Sequence, residues 1–586
     1  MKLKPIATVK KIRADNLTRY KRPKALMLAL FPLFLTLATE AAHMNSFVEL
    51  LKFMAAKPSV IFFDVLVITL IYAAIMLISR SAAFSAALCS FAFYAFSFVE
   101  FFKYETNGMH FNIADVMMTA NVVDIAKFTG FRMTAGLVLT FLGLFAYTSA
   151  LFLLNVKLPV KKRFGAISGV CVLAGFVSFF AVKPVYDRVY AFFKVNADES
   201  YNMFVSDEKF HDNMLIADIA VSVSKQFERL LGPPEEYSME TVDAILRDTA
   251  GQTTKDGRRP DVVVVMCESF CDLRQIGGID VPDGVYDAFD RVAENSFSGR
   301  AIVPTLGNGT VQTEFELLFG LPVKSLNNHF TPHKLLKLDG ETEETFARHY
   351  GDSGYSSYYL HPYKRDFYSR DKFYSEYGFD RLLFAEDFDV EPSYFFEYYD
   401  DATVFNQILS LLDGSDSPSY IHATTIQNHK PYSNDDFDGT EPDYYYAGLK
   451  KTCEALSDFY DAVSRRSDPV IVLFIGDHFP YFGVESDLYR QAGVNAENCA
   501  VLYEQTYLVF ANYDADFTLM PENAVSSFYL PHLLSVAANG VGDDFIAAML
   551  AKIGETPVYT DAGKRADNDD ELDILTYDRT VGDKYS

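Results

Sequence analysis

Long apolar runs dominate the first part of the chain. They lie near residues 25–43, 59–79, 82–102, 134–155 and 164–182. Most of them reach the roughly 20 residues that an α-helix needs to cross a bilayer. A single run of this kind also fits a buried core helix or, at the N-terminus, a signal peptide. Five runs in succession predict a bundle of five transmembrane helices instead.

Basic residues flank these runs unevenly. The segment before Ala25 and the turns around Arg80 and Lys161 carry most of the Lys and Arg, whereas the loops on the other side carry few. Because cytoplasmic loops of membrane proteins are enriched in Lys and Arg, we expect a cytoplasmic N-terminus in the cell membrane. Five crossings then place the chain after Lys183 outside the cell.

The C-terminal half shows a different pattern, with four strand-like runs of apolar or aromatic residues. They span residues 261–267, 354–360, 420–426 and 470–476. Helical patterns alternate with these runs, which predicts an α/β domain with a central, mostly parallel sheet and helices on both faces. In open sheets of this kind, ligands bind beyond the carboxyl ends of the strands.

Each run leads into a side chain that can bind a metal ion or a phosphate. These side chains are Glu268, His361, His429 and the adjacent pair Asp477 and His478. One such ending arises easily by chance, but four predict one shared site. Carboxylate oxygens together with an imidazole suit manganese, magnesium or zinc.

Thr310 follows a glycine-containing turn and opens a stretch with helical apolar spacing, residues 310–319. Its hydroxyl is therefore predicted at a helix N-terminus, where backbone N–H groups favour a phosphate. Alone, this pattern is typical of a helix cap. A nearby divalent cation changes the interpretation, because metal coordination turns a hydroxyl into a nucleophile.

Between the two halves, residues 184–258 have the pattern of a helical linker. Apolar residues recur at helical spacing over 205–231, and we expect this helix to pack on the globular domain. The chain is thus predicted to consist of a five-helix transmembrane domain (1–183), this linker, and an extracellular catalytic domain (259–586).

Charge and cysteine content narrow the function further. The net charge of −26 argues against a nucleic-acid partner, since phosphate backbones bind basic surfaces. The six cysteines follow no zinc or disulfide framework pattern, although the outer compartment permits a disulfide. We interpret Cys267 and Cys271, which bracket Glu268, as core residues.

Four motifs together resemble the lipoteichoic acid synthase family. They are Cys-Glu-Ser-Phe at 267–270, Gly-Asn-Gly-Thr-Val-Gln-Thr-Glu-Phe at 307–315, Gln-Asn-His-Lys-Pro-Tyr at 427–432 and Gly-Asp-His at 476–478. Residues 361–371 resemble the headgroup-binding region of the same family. That family comprises phosphoglycerol transferases of the sulfatase and alkaline phosphatase superfamily, so the resemblance implies an extracellular domain of that fold.

The resemblance also implies roles for single residues. The metal ligands, here for one divalent cation of the Mn²⁺ type, are Glu268, Thr310, Asp477 and His478. The nucleophile is Thr310, and His429 contacts the phosphate and assists proton transfer. The headgroup is held by His361, Tyr368 and Arg370. Family members often carry Trp where Tyr368 stands in this chain. On residues alone, His429 is equally well a loop histidine and Arg370 a surface ion pair.

The function implied is a membrane-anchored transferase. It moves a glycerophosphate group from a phosphatidylglycerol-type lipid to an acceptor hydroxyl through a phosphothreonine intermediate, and a glycolipid or a growing polyglycerolphosphate chain is the expected acceptor. One alternative keeps the fold and changes the reaction to phosphoethanolamine transfer or to sulfatase- or phosphodiesterase-like hydrolysis. The other is a non-catalytic, membrane-anchored binding protein.

Overall fold

The protein divides into two compact units. The computed structural model describes residues 21–113, 133–154, 156–197, 203–229, 233–247, 259–326, 331–336, 342–482, 487–538, 543–561 and 568–586. The N-terminal unit consists of Met1–Ala120, Ile125–Glu199 and Val205–Leu231. The C-terminal unit consists of Asn121–Asp124, Ser200–Phe204 and Gly232–Ser586.

The described part of the N-terminal unit is helical. Its helices are α1 (Lys21–Met44), α2 (Phe47–Ala56), α3 (Pro58–Ser79), α4 (Ala82–Asn107), α5 (Ala135–Leu154), α6 (Lys162–Phe180), α7 (Lys183–Phe193) and α8 (Met203–Arg229). Five of them, namely α1, α3, α4, α5 and α6, are long and apolar enough to cross a membrane. The prediction of five apolar membrane helices is confirmed, and the protein is a multi-pass membrane protein.

Helix α8 packs among the membrane helices, not on the globular domain as we expected from the sequence. Its residues Ile216 and Ala220 belong to the same buried cluster as side chains of α1 and α3. The helix is broken at Met214, whose φ is 60°. The freed backbone N–H groups of Leu215 and Ile216 donate to the carboxylate of Glu40, each at 3.1 Å. The buried carboxylate of Glu40 therefore replaces the backbone acceptors that these N–H groups lose at the break.

A single eight-stranded sheet forms the centre of the C-terminal unit. Its strands are β1 (Asp261–Cys267), β2 (Phe297–Ile302), β3 (Ser356–His361), β4 (Arg381–Phe384), β7 (Ser419–Thr424), β8 (Val470–Gly476), β9 (Glu504–Ala511) and β10 (Val525–Ser526). They are ordered β10-β2-β9-β8-β1-β7-β3-β4, and only β9 runs antiparallel to its neighbours. A separate hairpin pairs β5 (Tyr394–Phe395) with β6 (Tyr398–Tyr399). The predicted mostly parallel sheet is confirmed.

Helices cover both faces of this sheet. The α-helices described in the C-terminal unit are α9 (Met239–Arg247), α10 (Asp287–Ala293), α11 (Thr310–Phe319), α12 (Phe346–Asp352), α13 (Arg370–Phe373), α14 (Asp401–Gly414), α15 (Glu441–Ser464), α16 (Leu488–Gln491), α17 (Leu530–Ala537), α18 (Asp544–Glu555) and α19 (Asp570–Thr580). Every residue of β1, β7 and β8 is buried, as expected for parallel strands covered on both faces. On one face, Val262 and Val264 of β1 join a cluster with Phe315 of α11.

The predicted elements that lead to the candidate site match the structure closely. β1, β8 and α11 have the predicted bounds. β3 begins two residues later than predicted and includes His361 as its last residue, and β7 ends at Thr424, five residues before His429. His429 therefore lies on a loop beyond the strand.

Candidate active site

The carboxyl ends of four central strands share one edge of the sheet. β8, β1, β7 and β3 are neighbours in this order, and all run parallel. Cys267, the last residue of β1, is paired with Gly476, the last residue of β8. The residues that follow, Glu268 and Asp477, therefore lie side by side.

Glu268, Asp477 and His478 form a buried cluster with the chemistry of a metal site. One possible ligand atom from each lies within 4.8 Å of the others, and among the described residues no other group of three or more His, Cys, Asp or Glu does so. Backbone contacts orient the ligands. Asp477 Oδ1 accepts from the N–H groups of Ser269 (2.7 Å) and His478 (2.8 Å), which leaves Oδ2 to face the cluster.

The two atoms that face each other across this cluster are both hydrogen-bond acceptors. His478 Nδ1 lies 3.0 Å from the carbonyl oxygen of Phe479, which only accepts, so the ring proton is on Nδ1 and Nε2 carries a lone pair. His478 Nε2 and Asp477 Oδ2 are 3.2 Å apart, buried and without a hydrogen-bond partner. Two acceptors in contact repel each other, and a cation between them removes the repulsion. The residues present therefore fit a divalent cation.

The electrostatics of the cluster agree with this fit. Burial raises the pKa of Asp477 to about 7. Burial, and next to it the charge of Asp477, raises the pKa of Glu268. Burial lowers the pKa of His478, which keeps the imidazole neutral and ready to act as a ligand. The carboxylates are thus held apart from water and close to each other, where a metal ion stabilises their ionised forms.

Thr310 is the first residue of α11 and points its hydroxyl into the cluster. Its Oγ1 donates to Glu268 Oε2 at 3.2 Å. The N-cap position is taken by Gly309, in the left-handed conformation at φ 83°, and no side chain caps the helix. A Cβ at position 309 would lie 2.6 Å from the side chain of Gln312 and 2.9 Å from that of Thr305, so glycine is needed there. The structure therefore does not support the interpretation of Thr310 as a simple cap.

His361 and Arg370, which both belong to the predicted headgroup region, are in contact. Both are only 1% exposed, and Arg370 Nη1 donates to His361 Nε2 at 3.3 Å. His361 Nδ1 donates in turn to the carbonyl oxygen of Thr424 at 3.0 Å, so this ring is neutral. Burial, followed by the Arg370 charge, lowers the pKa of His361 to about 3. Arg370 is therefore not the surface ion pair that its sequence context also allowed.

Tyr368 is half-buried beside them. The guanidinium of Arg370 lies 5.3 Å from the centre of its ring and 5.8 Å from that of Phe367. The backbone of Tyr368 is in the left-handed conformation, at φ 58°, and its carbonyl oxygen lies 3.0 Å from Nε2 of His333. Burial raises the pKa of the Tyr368 phenol, the Arg370 charge opposes this shift, and the charges of Glu268 and Asp477 add to it.

The family comparison agrees with this geometry. Residues 260–514, which include β1, α11, β7 and β8, match the Sulfatase family model. This part of the chain is therefore a sulfatase-like domain. The resemblance to lipoteichoic acid synthases is also confirmed, since lipoteichoic acid synthase 1 of Bacillus subtilis is 26% identical over 137 residues, covering 21% of either chain.

The chain also resembles proteins other than lipoteichoic acid synthases. The capsular polysaccharide biosynthesis protein RkpI of Rhizobium meliloti is 26% identical over 275 residues, covering 44% of this chain and 48% of RkpI. The chain thus spans about half the length of this relative. Among solved structures, the Streptococcus pyogenes phosphoglycerol transferase GacH in complex with sn-glycerol-1-phosphate has a TM-score of 0.50 at 20% identity, over 60% of this chain and 96% of that chain. This likeness shows a shared fold.

The loop after β7 carries His429 of the sulfatase-like domain. Gln427 and Asn428 are buried and hold the loop to α15, both donating to Thr452 Oγ1 at 2.9 Å. His429 Nδ1 lies 2.6 Å from the carbonyl oxygen of Lys430, so the proton is on Nδ1 and Nε2 is the accepting nitrogen. Burial lowers the pKa of His429, whereas the charge of Glu268 raises it. His429 is therefore a neutral histidine within electrostatic range of the acidic cluster.

Glu314 belongs to this site, and sequence reasoning assigned it no role. Its carboxylate is fully buried and accepts from Arg370, Tyr359, Tyr374 and Thr424. Burial raises its pKa, but the Arg370 charge and the three hydroxyls outweigh burial and lower the pKa to about 2. All ten residues of α11 are buried, and a buried acid within a helix needs a partner, but this burial is visible only in the structure.

The six cysteines are free in the structure, as the interpretation of Cys267 and Cys271 as core residues requires. Cys267 and Cys271 are both fully buried. Neither belongs to the group Glu268, Asp477 and His478 that could hold a metal ion.

Proposed function

We propose that this protein transfers a glycerophosphate group from a phosphatidylglycerol-type lipid to an acceptor hydroxyl. The observation that carries the proposal is the position of the Thr310 hydroxyl. It donates to Glu268 at 3.2 Å, at the mouth of a buried cluster whose facing acceptors, Asp477 Oδ2 and His478 Nε2, have no hydrogen-bond partner. A nucleophile beside a cation site at a helix N-terminus suits phosphoryl transfer.

In this proposal Glu268, Thr310, Asp477 and His478 hold one divalent cation, which we take to be Mn²⁺, with Mg²⁺ or Zn²⁺ as alternatives. When bound, the cation lowers the pKa of the threonine hydroxyl and neutralises charge on the phosphoryl oxygens. All four residues lie at the carboxyl edge of the sheet or at the start of α11, so the fold presents them from rigid elements.

The reaction then has two displacements at Thr310. In the first, Thr310 Oγ1 forms a bond to phosphorus, the bond from phosphorus to the diacylglycerol oxygen breaks, and a glycerophosphoryl-threonine remains. The proton that Thr310 loses reaches the diacylglycerol oxygen by way of His429 Nε2. In the second, the acceptor oxygen attacks phosphorus, and its proton returns to Thr310 by the same route. The neutral, Nδ1-protonated form of His429 suits this exchange.

The transferred headgroup is assigned to the pocket of His361, Tyr368 and Arg370. His361 accepts one N–H of Arg370 Nη1 and so orients it, and the second N–H of that group suits a glycerol hydroxyl. The half-buried Tyr368 ring offers an apolar wall. The Streptococcus pyogenes phosphoglycerol transferase, which shares this fold, was solved in complex with sn-glycerol-1-phosphate, and that ligand supports a glycerophosphate as the headgroup.

We further propose the arrangement of the protein at the membrane. Residues 1–183 anchor the chain with a cytoplasmic N-terminus, and 259–586 form an extracellular catalytic domain, as the uneven basic residues favour. Residues 184–258 connect the two, and within them helix α8 packs with the membrane helices. The donor lipid then meets the site at the outer surface. A glycolipid primer or a growing polyglycerolphosphate chain provides the acceptor hydroxyl.

Mass spectrometry of the transferred group tests the proposal. Full-length protein in detergent micelles is loaded with Mn²⁺, incubated briefly with phosphatidylglycerol without an acceptor, and digested. We expect a glycerophosphoryl adduct on the peptide that contains Thr310, and release of diacylglycerol. Phosphatidylethanolamine serves as the matched donor control. An ethanolamine phosphate adduct with that lipid and none with phosphatidylglycerol would assign the chain to the alternative transferase reaction.

A further inference from the structure

Glu314 closes a ring of buried hydrogen bonds that includes both polar residues of the headgroup pocket. Its Oε2 accepts from Arg370 Nε (3.1 Å) and Nη2 (3.0 Å), and Arg370 Nη1 donates to His361 Nε2. His361 Nδ1 donates to the carbonyl oxygen of Thr424. The hydroxyl of Thr424 donates to Glu314 Oε1 at 2.5 Å, which completes the ring. Each member of the ring is held by two others, so none can rotate alone.

The ring is isolated from water and balanced in charge. Glu314 and Arg370 are 0% and 1% exposed, and the hydroxyls of Tyr359 and Tyr374 also donate to the Glu314 carboxylate. Arg370 uses Nε and Nη2 on this one carboxylate, and only Nη1 turns toward His361. Because the charges of Glu314 and Arg370 cancel each other in this buried ion pair, the pocket offers hydrogen-bonding groups with little net charge.

The position of Glu314 also connects this ring to the nucleophile. Thr310 and Glu314 are four residues apart on α11, which places them on the same face of one helix. Thr310 reaches Glu268 from this face, and Glu314 reaches Arg370. The helix therefore fixes the distance between the groups that would hold the headgroup and the atom that would attack the phosphate.

We propose that Glu314 is a positioning residue that sets headgroup selectivity by holding Arg370 and His361 in a charge-balanced arrangement suited to an uncharged, hydroxyl-bearing headgroup. The inference rests on the proposed function and adds a selectivity determinant to it. An ammonium headgroup meets the Arg370 cation in this pocket, where the carboxylate of Glu314 is already engaged by that cation. A glycerol hydroxyl, in contrast, can accept the second N–H of Arg370 Nη1, because the first is donated to His361 Nε2.

The test is the substitution Glu314→Gln in the full-length, detergent-solubilised protein. The probe is sn-glycerol 1-phosphate, titrated calorimetrically in the presence of Mn²⁺. We expect binding to weaken roughly 10- to 100-fold, as for loss of hydrogen bonds to a charged group. KM for phosphatidylglycerol should rise by a similar factor, while Mn²⁺ affinity stays within twofold, because Glu314 does not touch the metal cluster.

The same helix supplies a matched control in Glu316→Gln. Glu316 is also buried, but it accepts from the backbone of Val323 and from Ser527, away from the pocket. Glu316→Gln should leave glycerol phosphate binding within twofold of wild type. Equal weakening in both variants would mean that loss of a buried acid disturbs the helix in general, and would overturn the proposal.

A double-substitution cycle separates positioning from a structural role. Arg370→Gln alone should weaken binding, and adding Glu314→Gln to it should cause less than a twofold further loss, since Glu314 acts through Arg370. Independent, additive losses would refute that route. If Glu314→Gln fails to fold, Tyr374→Phe removes one donor to the carboxylate, and a severalfold loss of binding is expected from it; unchanged binding would count against the proposal.

The outcomes distinguish the proposed function from the role assigned to Glu314. Wild-type protein that binds no glycerol phosphate would defeat the proposed function itself. Wild-type binding that Glu314→Gln leaves intact would defeat only the role of Glu314. A variant that binds ethanolamine phosphate better than glycerol phosphate, with a wild type of the opposite preference, would give the strongest support.

Discussion

Metal binding should depend steeply on pH, and Asp477 should be the reason. Without a bound ion, burial holds the pKa of Asp477 at about 7, compared with an ordinary value of 3.8. This difference corresponds to roughly 4 kcal/mol between the two protonation states. Below pH 7 the carboxyl carries a proton that must leave before the oxygen binds a cation. Protons and Mn²⁺ therefore compete for the same atom.

The expected size of the effect follows from this competition. The apparent Mn²⁺ affinity should fall by a factor that approaches tenfold per pH unit below 7, which amounts to about 50-fold between pH 7 and pH 5. Glu268, whose pKa is also raised by burial, makes the decline steeper. His478 adds little, because burial lowers its pKa. With an ordinary pKa of 3.8 for Asp477, the affinity would be almost constant over this interval.

The perturbation is the nearly isosteric Asp477→Asn, assayed by calorimetric Mn²⁺ titration of chelator-treated, full-length protein from pH 8 to pH 5. The variant should bind weakly at every pH and lose most of the pH dependence. Asp401→Asn is the matched control: Asp401 is also fully buried, with a pKa raised by burial to about 6, but its Oδ2 accepts from Thr452 at 2.5 Å. Wild-type affinity that stays flat down to pH 5, or wild-type binding by Asp477→Asn, would refute the reasoning.

Three further predictions concern other parts of the structure. Thr310→Ala should abolish diacylglycerol release. It should change the free energy of unfolding by less than the roughly 1 kcal/mol of a lost cap, because Gly309 occupies the N-cap position. Denaturant unfolding and lipid turnover measure the two effects, and a stable variant with normal turnover would contradict the assignment of Thr310 as the nucleophile. A reporter enzyme fused after Asp187 should be active only outside the cytoplasm, and cytoplasmic activity would reverse the proposed orientation. Thiol labelling of the native protein should spare four buried cysteines until denaturant is added, and rapid labelling would show that the core is open; these are Cys267, Cys271, Cys453 and Cys499.

Local sequence was sufficient to predict the elements that build the site. The apolar runs of β1 and β8 are continuous, which is typical of strands that are buried on both faces of a sheet. The ends of the two strands, and with them Glu268 and Asp477, were therefore identifiable from the sequence. The spacing over 310–319 likewise predicted α11 with its observed bounds. The five membrane helices were predictable for a similar reason, since a bilayer imposes length and apolarity on a contiguous segment.

Contacts between segments distant in the chain needed the tertiary structure. The packing of α8 among the membrane helices depends on the carboxylate of Glu40, some 175 positions away, accepting from a helix break at Met214. The burial of Arg370 depends on Glu314, which is 56 positions away. Periodicity in the sequence indicates only which face of an element is apolar. A charged residue is therefore predicted to be exposed until its buried partner is known. The sequence alone therefore determined the membrane helices, the sheet and the candidate metal ligands, whereas the folded chain decided which polar groups hold one another in place, because those hydrogen bonds join residues that no local pattern relates.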